Sequence, residues 1–164
     1  MILLQPVTQR EAWNIIDEWH SHHKPPVGSL YQIGAYFDGF SVGVVVVGRP
    51  VSGGLPWPIL EVTRLCTNGH KNAASRLLGA AWCAARAMGC RRMVSYTRDD
   101  ERGTCCQAAS WLKCAEVKGR PWNTGNKANR WLPGMYQPTT EIVDRVRWEI
   151  GPDAMKPLPK TPTP

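Results

Sequence analysis

At 164 residues with a formal charge of +7 and a pI near 9.3, the chain has the length of one domain and can bury roughly 70% of its unfolded surface without disulfide staples. The positive balance favours a polyanionic partner, such as nucleic acid or a phosphate-rich cofactor. No apolar run approaches membrane-spanning length, and Met1-Ile2-Leu3-Leu4 opens a segment too short and too poor in basic residues for a signal peptide. The six cysteines include no CxxC pair, which argues against a structural zinc site and for reduced thiols in a cytoplasmic protein.

In chain order, Thr8-Gln9-Arg10-Glu11 reads as a capping box. Ala12, Ile15, Ile16 and Trp19 then recur at helical spacing, predicting a helix from Gln9 to Trp19. It ends at His20-Ser21-His22-His23-Lys24-Pro25-Pro26, where the prolines forbid continuation. Three imidazoles in four residues suit a base, a metal ligand or a phosphate contact, and equally a solvated loop. Leu30 to Val47 changes to period two, with Asp38-Gly39 as a hairpin turn and Val44 to Val47 as a strand covered on both faces. Arg49 to Pro58 is a Gly/Pro loop that borders whatever follows it.

Leu60 to Gly89 organises the rest: a β-branched strand (Leu60 to Thr67), a polar turn (Asn68 to Asn72) and a helix (Ala73 to Met88) stopped by Gly89. Unpaired N–H groups and the macrodipole make such a helix start an anion site. Leu77, Ala81, Ala84 and Met88 mark the expected buried stripe, and Ser75, Arg76, Gly79, Cys83 and Arg86 a narrower polar side. Arg92 to Tyr96 is the next strand, parallel to the first if the crossover is right-handed. Thr97 to Arg102 is a charged loop, Gly103 to Ser110 a short helix, and Leu112 to Lys118 a final strand. Arg120, Lys127 and Arg130 interleave with Trp122 and Trp131, a pattern suited to a nucleic-acid strand, with Lys24 a further cation, or to a basic surface loop. Glu141 to Ile150 is expected to be an amphipathic helix. The proline-rich residues 151–164 are expected as a disordered or docked tail behind one domain spanning residues 1–150.

This element order resembles the GNAT N-acetyltransferase fold, which implies an α+β class with a GNAT-like central mixed sheet and flanking helices. In that superfamily the turn Q/R-x-x-G-x-G/A holds the pyrophosphate of acetyl-CoA; the aligned stretch here is Gly69 to Ala74, with Asn72 at the first glycine. A narrower resemblance joins Glu61-Val62-Thr63-Arg64-Leu65 with Lys71-Asn72 and Ser75, Gly103-Thr104 through Trp111, and His20-Ser21 with Pro26. These segments are similar to the phage Mom-type proteins, which modify adenines in phage DNA against host restriction and for which a bound iron has been proposed. The resemblance implies an acyl-CoA or related donor and DNA as partner. It implies donor contacts at Leu65, Cys66, Thr67, Asn72, Ala73, Ala74 and Ser75. The group's aspartate falls nearest Thr97, with Asp99 and Asp100 shifted along, and its tyrosine on Cys106.

Under that reading His20 is the first choice of base and Glu61 the second if burial raises its pKa. Arg64 holds phosphate or substrate, a backbone N–H near Leu65 or Cys66 stabilises the oxyanion, and Tyr96 or Cys106 returns a proton to the thiolate. The alternative is a non-catalytic basic DNA- or protein-binding module on a degenerate GNAT scaffold, its cleft filled by Trp57 or Trp82.

Overall fold

The computed structural model describes residues 1–19, 25–51, 55–119 and 143–157. The order is β1 (Leu3–Pro6), α1 (Gln9–Trp19), β2 (Tyr31–Phe37), β3 (Phe40–Gly48), β4 (Leu60–Thr67), α2 (Ala73–Ala87), β5 (Met93–Arg98), α3 (Thr104–Ala108), β6 (Leu112–Val117) and β7 (Arg145–Ile150). The strands form one mixed sheet in the order β1-β2-β3-β4-β5-β7-β6, so the fold is α+β as expected.

The local signals explain most elements. The Thr8 N–H donates to Glu11 Oε2 at 2.7 Å and the Glu11 N–H returns to Thr8 Oγ1 at 3.3 Å, which closes the capping box ahead of α1. Asp38 (φ 49°) and Gly39 (φ 85°) both take positive φ, the backbone that joins β2 to β3 with the twist of the strands. Val45 and Val47 enter the core under α2, while Val44 and Val46 meet Ala12 and Ile16 of α1, so β3 is covered on both faces.

Helix α2 ends one residue earlier than expected, at Ala87, with Gly89 at φ 85° carrying the stop. Its buried stripe is Ala73, Leu77, Leu78, Ala81 and Ala85, and Met88 is 58% exposed. The stripe turns toward Leu78 and Ala85 because α2 packs on β2, β3 and β4 together, and Tyr31 reaches up from β2 to donate to the Ala81 carbonyl at 2.7 Å.

Two segments differ from the sequence reading. The opening residues, given no element there, form the edge strand β1 through Leu3–Pro6 paired antiparallel to β2. The expected helix from Glu141 to Ile150 is instead, over its described part, strand β7, paired with β5 on one side and β6 on the other. The reason is period two: Val146 and Trp148 enter the core under α2 and α3 while Arg145, Arg147 and Glu149 point to the opposite face. Residues 151–157 follow β7 and are tied back, with the Arg92 Nε donating to the Asp153 carbonyl and the Met155 N–H to Glu149 Oε2.

Candidate active site

Strands β4 and β5 run parallel but pair over only three positions, Leu60 with Met93, Glu61 with Val94 and Val62 with Ser95. Beyond that seam β4 continues against β3 alone and β5 against β7 alone, so the sheet opens into a V. A bulge at Thr63, where Val62 and Arg64 face the adjacent Val47 and Val46, bends β4 at the point of divergence.

The ladder decides which backbone groups face the opening. The Asn68 N–H donates to the Val42 carbonyl at 3.2 Å, and in this register alternate residues bond to β3, so Cys66 and Arg64 are committed there. Leu65 and Thr67 therefore turn their N–H and C=O groups toward the V. The oxyanion donor that the sequence left between Leu65 and Cys66 is Leu65 by geometry; the Cys66 side chain goes instead into the core with α1.

At the open end of the V the chain turns into α2. Asn68 Oδ1 accepts the His70 N–H at 3.1 Å, Gly69 sits at φ 88° and Asn72 at φ 65°, ψ 0°. Asparagine is among the few L residues that adopt this left-handed backbone readily, so the turn forms here without a glycine at position 72. The Ala73 N–H bonds to the His70 carbonyl and the Arg76 N–H to that of Asn72. The Ala74 and Ser75 N–H groups between them point out of the helix start with no partner among the described residues. No acidic residue lies in the first turn, Lys71 and Arg76 are exposed beside it, and Ser75 Oγ donates to the Asn72 carbonyl at 3.2 Å. The turn is an anion cradle in shape and in sign.

Glu61 and Tyr96 share the face opposite α2, one on each wall of the V. Glu61 is 7% exposed and accepts the Val51 N–H at 2.9 Å, so the Gly/Pro loop does border the site. Burial pushes its carboxyl above the ordinary range, while the Val51 bond and the charges of Arg145 and Arg64 pull the other way. Burial also raises the Tyr96 hydroxyl, with Glu61 adding to the shift and Arg147 opposing it. Arg64 donates to the Thr63 carbonyl at 2.6 Å.

Trp57 is 66% exposed beneath the Arg49 guanidinium, 5.8 Å from its ring, and Trp82 packs beside Gly151 near the start of β5. Both are at the closed end of the V. Two surface depressions of about 450 and 530 Å³ lie away from the V, by the β2–β3 turn and along α1.

On α3, Cys106 is buried and hydrogen-bonded through its thiol to Cys105, which holds Cys105 below and Cys106 above the ordinary thiol value. Thr97 accepts the Trp148 indole N–H at 3.0 Å. Among the described residues no three His, Cys, Asp or Glu side chains converge. With Thr97 at the aspartate position and a buried Cys106 at the tyrosine position, the described residues do not fit an iron site. His20, Lys24, Arg120, Trp122, Lys127 and Arg130 lie outside the described residues. Sequence reasoning missed Arg145, Arg147 and Glu149, whose shared face exists only once β7 is a strand.

The chain matches the model of the Mom protein family over residues 1–130. It belongs to the Mom protein family. No match is found among curated proteins. Among solved structures, this Mom-family chain is similar to an IAA acetyltransferase from Bacillus cereus (TM-score 0.65, 12% identity, covering 92% of this chain and 99% of that one). It is also similar to a GNAT family acetyltransferase from Elizabethkingia anophelis with acetyl-CoA bound (0.54, 13%, 92% and 97%). A third, an acetyltransferase from Bacillus subtilis in complex with CoA, gives 0.56 at 14% identity over 92% and 97%. The fold of the Mom-family chain is thus that of the GNAT acetyltransferases. Among the described residues no helix is long and apolar enough to cross a membrane.

Proposed function

We propose that this protein transfers an acyl group from acyl-CoA to an amine of a nucleobase in DNA, adenine being the base implied by its family. The observation that carries the reading is the V itself, which brings the Leu65 N–H, the unpartnered N–H groups of Ala74 and Ser75, Glu61 and Tyr96 to one opening. The helix start and Lys71 hold the donor's pyrophosphate, and Asn72 shapes the turn that presents those N–H groups. The Leu65 N–H donates to the thioester carbonyl oxygen as negative charge develops there.

Glu61, whose carboxyl burial makes more basic than an ordinary carboxylate, takes the proton in its ionised form as the amine nitrogen bonds to the carbonyl carbon; His20 is the other candidate for that step. When the carbon–sulfur bond breaks, Tyr96, whose raised pKa keeps it protonated at neutral pH, gives the thiolate its proton. Cys106 is too deeply buried beside Cys105 to serve.

Mass spectrometry of nucleosides from cells expressing the protein tests the reading. A new adenine mass that disappears in Arg64→Ala supports it. Unmodified DNA from cells in which the protein binds DNA without binding acetyl-CoA would leave the binding-module alternative. Asn72 gives a second check by calorimetry with acetyl-CoA. Asn72→Gly is expected to bind within about twofold of wild type, whereas Asn72→Val, forced into a left-handed backbone at about 1–2 kcal/mol, loses roughly tenfold.

A further inference from the structure

Two of the six cysteines, Cys105 and Cys106, are adjacent in the chain, and neither takes part in the chemistry proposed above. The others are placed differently: Cys66 and Cys90 are buried, Cys83 is exposed on α2, and the Cys114 thiol donates to the Leu112 carbonyl at 3.2 Å. Cys105 is half-buried and Cys106 only 1% exposed, so a reagent from solvent meets Cys105 first. The Cys106 S–H donates to the Cys105 sulfur, which favours the Cys105 thiolate, with burial and the charge of Glu101 opposing. The same bond keeps the proton on Cys106. One thiol is thus readied as a nucleophile with a second, protonated thiol beside it.

The segment that carries the pair is built to change shape. Helix α3 has five residues, too few to be stable alone, and is bounded by two left-handed residues, Gly103 at φ 61° and Ser110 at φ 63°. It is held from outside: a Cβ at Gly103 would collide with the Trp148 ring, and the Trp111 N–H bonds to the Cys106 carbonyl at 2.9 Å. Consecutive helical side chains diverge by about 100° around the axis. Neighbouring Cα atoms are also about 3.8 Å apart, under the roughly 4.4–6.8 Å of an unstrained disulfide. The two sulfurs therefore join only if α3 opens, and a bond made that way is strained and readily reduced.

We infer that Cys105 and Cys106 form an oxidant-responsive site, in which a peroxide oxidises Cys105 and Cys106 resolves it to a reversible disulfide. The Cys105 thiolate attacks one peroxide oxygen; the S–O bond forms as the O–O bond breaks, the departing hydroxide takes up a proton, and Cys105 is left as a sulfenic acid. The Cys106 sulfur then attacks that of Cys105: the S–S bond forms, the S–O bond breaks, and the Cys106 proton leaves with the oxygen as water. Two electrons pass from the thiols to the peroxide. Where glutathione keeps thiols reduced, the pair rests as the dithiol and the disulfide is transient. None of these steps uses acyl-CoA, so they stand whether or not the protein transfers an acyl group.

Trypsin cuts after Arg102 and Lys113, so one peptide, residues 103–113, carries both thiols and no other cysteine. The full chain is treated with one equivalent of hydrogen peroxide, its remaining thiols are capped with iodoacetamide, and that peptide is weighed. The expected wild-type peptide is uncapped and two hydrogens lighter than the dithiol, and it returns to the doubly capped form when reduced glutathione precedes the capping. Cys106→Ala, with folding verified by a melting curve, loses the disulfide completely and carries instead one added oxygen on Cys105, captured by dimedone. Cys105→Ser leaves Cys106 unoxidised. A wild-type peptide with both thiols capped while Cys83 is oxidised would overturn the inference, as would Cys105 bridged to Cys114 or a disulfide that glutathione does not reopen.

Discussion

Replacing Glu61 with glutamine is expected to lower acyl transfer by roughly 10²–10⁴-fold while acetyl-CoA affinity stays within a factor of about two. The substitution keeps the size of the side chain and its contact to the Val51 N–H but cannot take a proton. The wild-type rate should fall on the acid side with a limb above the ordinary carboxylate range, because burial raises the Glu61 pKa and only the ionised form is a base. The same shift fixes the sign of a stability effect. The folded state keeps the Glu61 proton to higher pH than the unfolded chain, so the stability this proton contributes is fully present below about pH 4 and is lost as pH rises through the raised value. Glu61→Gln abolishes that loss, and its melting temperature should exceed that of wild type at neutral and mildly alkaline pH. A variant that keeps activity within a few-fold, with the acid limb intact, would transfer the role of base to His20.

The largest expected effect on stability is at Arg92. It is 4% exposed, pairs with Glu149, and donates from Nε to the Asp153 carbonyl and from Nη2 to the carbonyls of Asp153 and Lys156. Arg92→Leu removes the more deeply buried of the two counter-charges of a fully buried carboxylate, a change that costs about 3–5 kcal/mol at such sites. For a chain of this length that is a fall of roughly 6–20 °C in melting temperature. The double variant Arg92→Leu/Glu149→Gln should recover most of the loss, because no buried charge is then stranded. If the double variant melts no higher than Arg92→Leu, the damage lies in the carbonyl contacts that tie down residues 151–157, and the ion pair contributes little.

The sequence carried the elements whose signals are local. The Thr8–Glu11 box, the Asp38-Gly39 turn and the strand, turn and helix from Leu60 to Gly89 could each be read from a few neighbouring residues, and all of them lie within a residue or two of where they were expected. The segment from Glu141 to Ile150 could not. Ile142, Val143, Val146 and Ile150 satisfy a helical stripe as well as Val146, Trp148 and Ile150 satisfy alternation, and only pairing with both β5 and β6 selects the strand. Everything that depends on β7 was hidden with it: the Arg92–Glu149 pair, which links residues far apart in the chain, and the arginines across from Tyr96. The choice of Leu65 over Cys66 was equally out of reach, since it follows from the parity of a ladder and not from the identity of either residue. Asn72 illustrates the opposite case. As a letter it breaks the glycine pattern, yet it takes the left-handed backbone that glycine adopts most freely.

The V in the sheet passes between two strands and so has a mouth on each side. The helix start that suits the donor opens toward α2, whereas Glu61, Tyr96 and the β7 arginines look out on the other side. Two reactants entering by separate doors need not queue: each can arrive or depart while its counterpart stays seated. Steady-state kinetics with intersecting, not parallel, double-reciprocal lines are what a passage of that shape dictates.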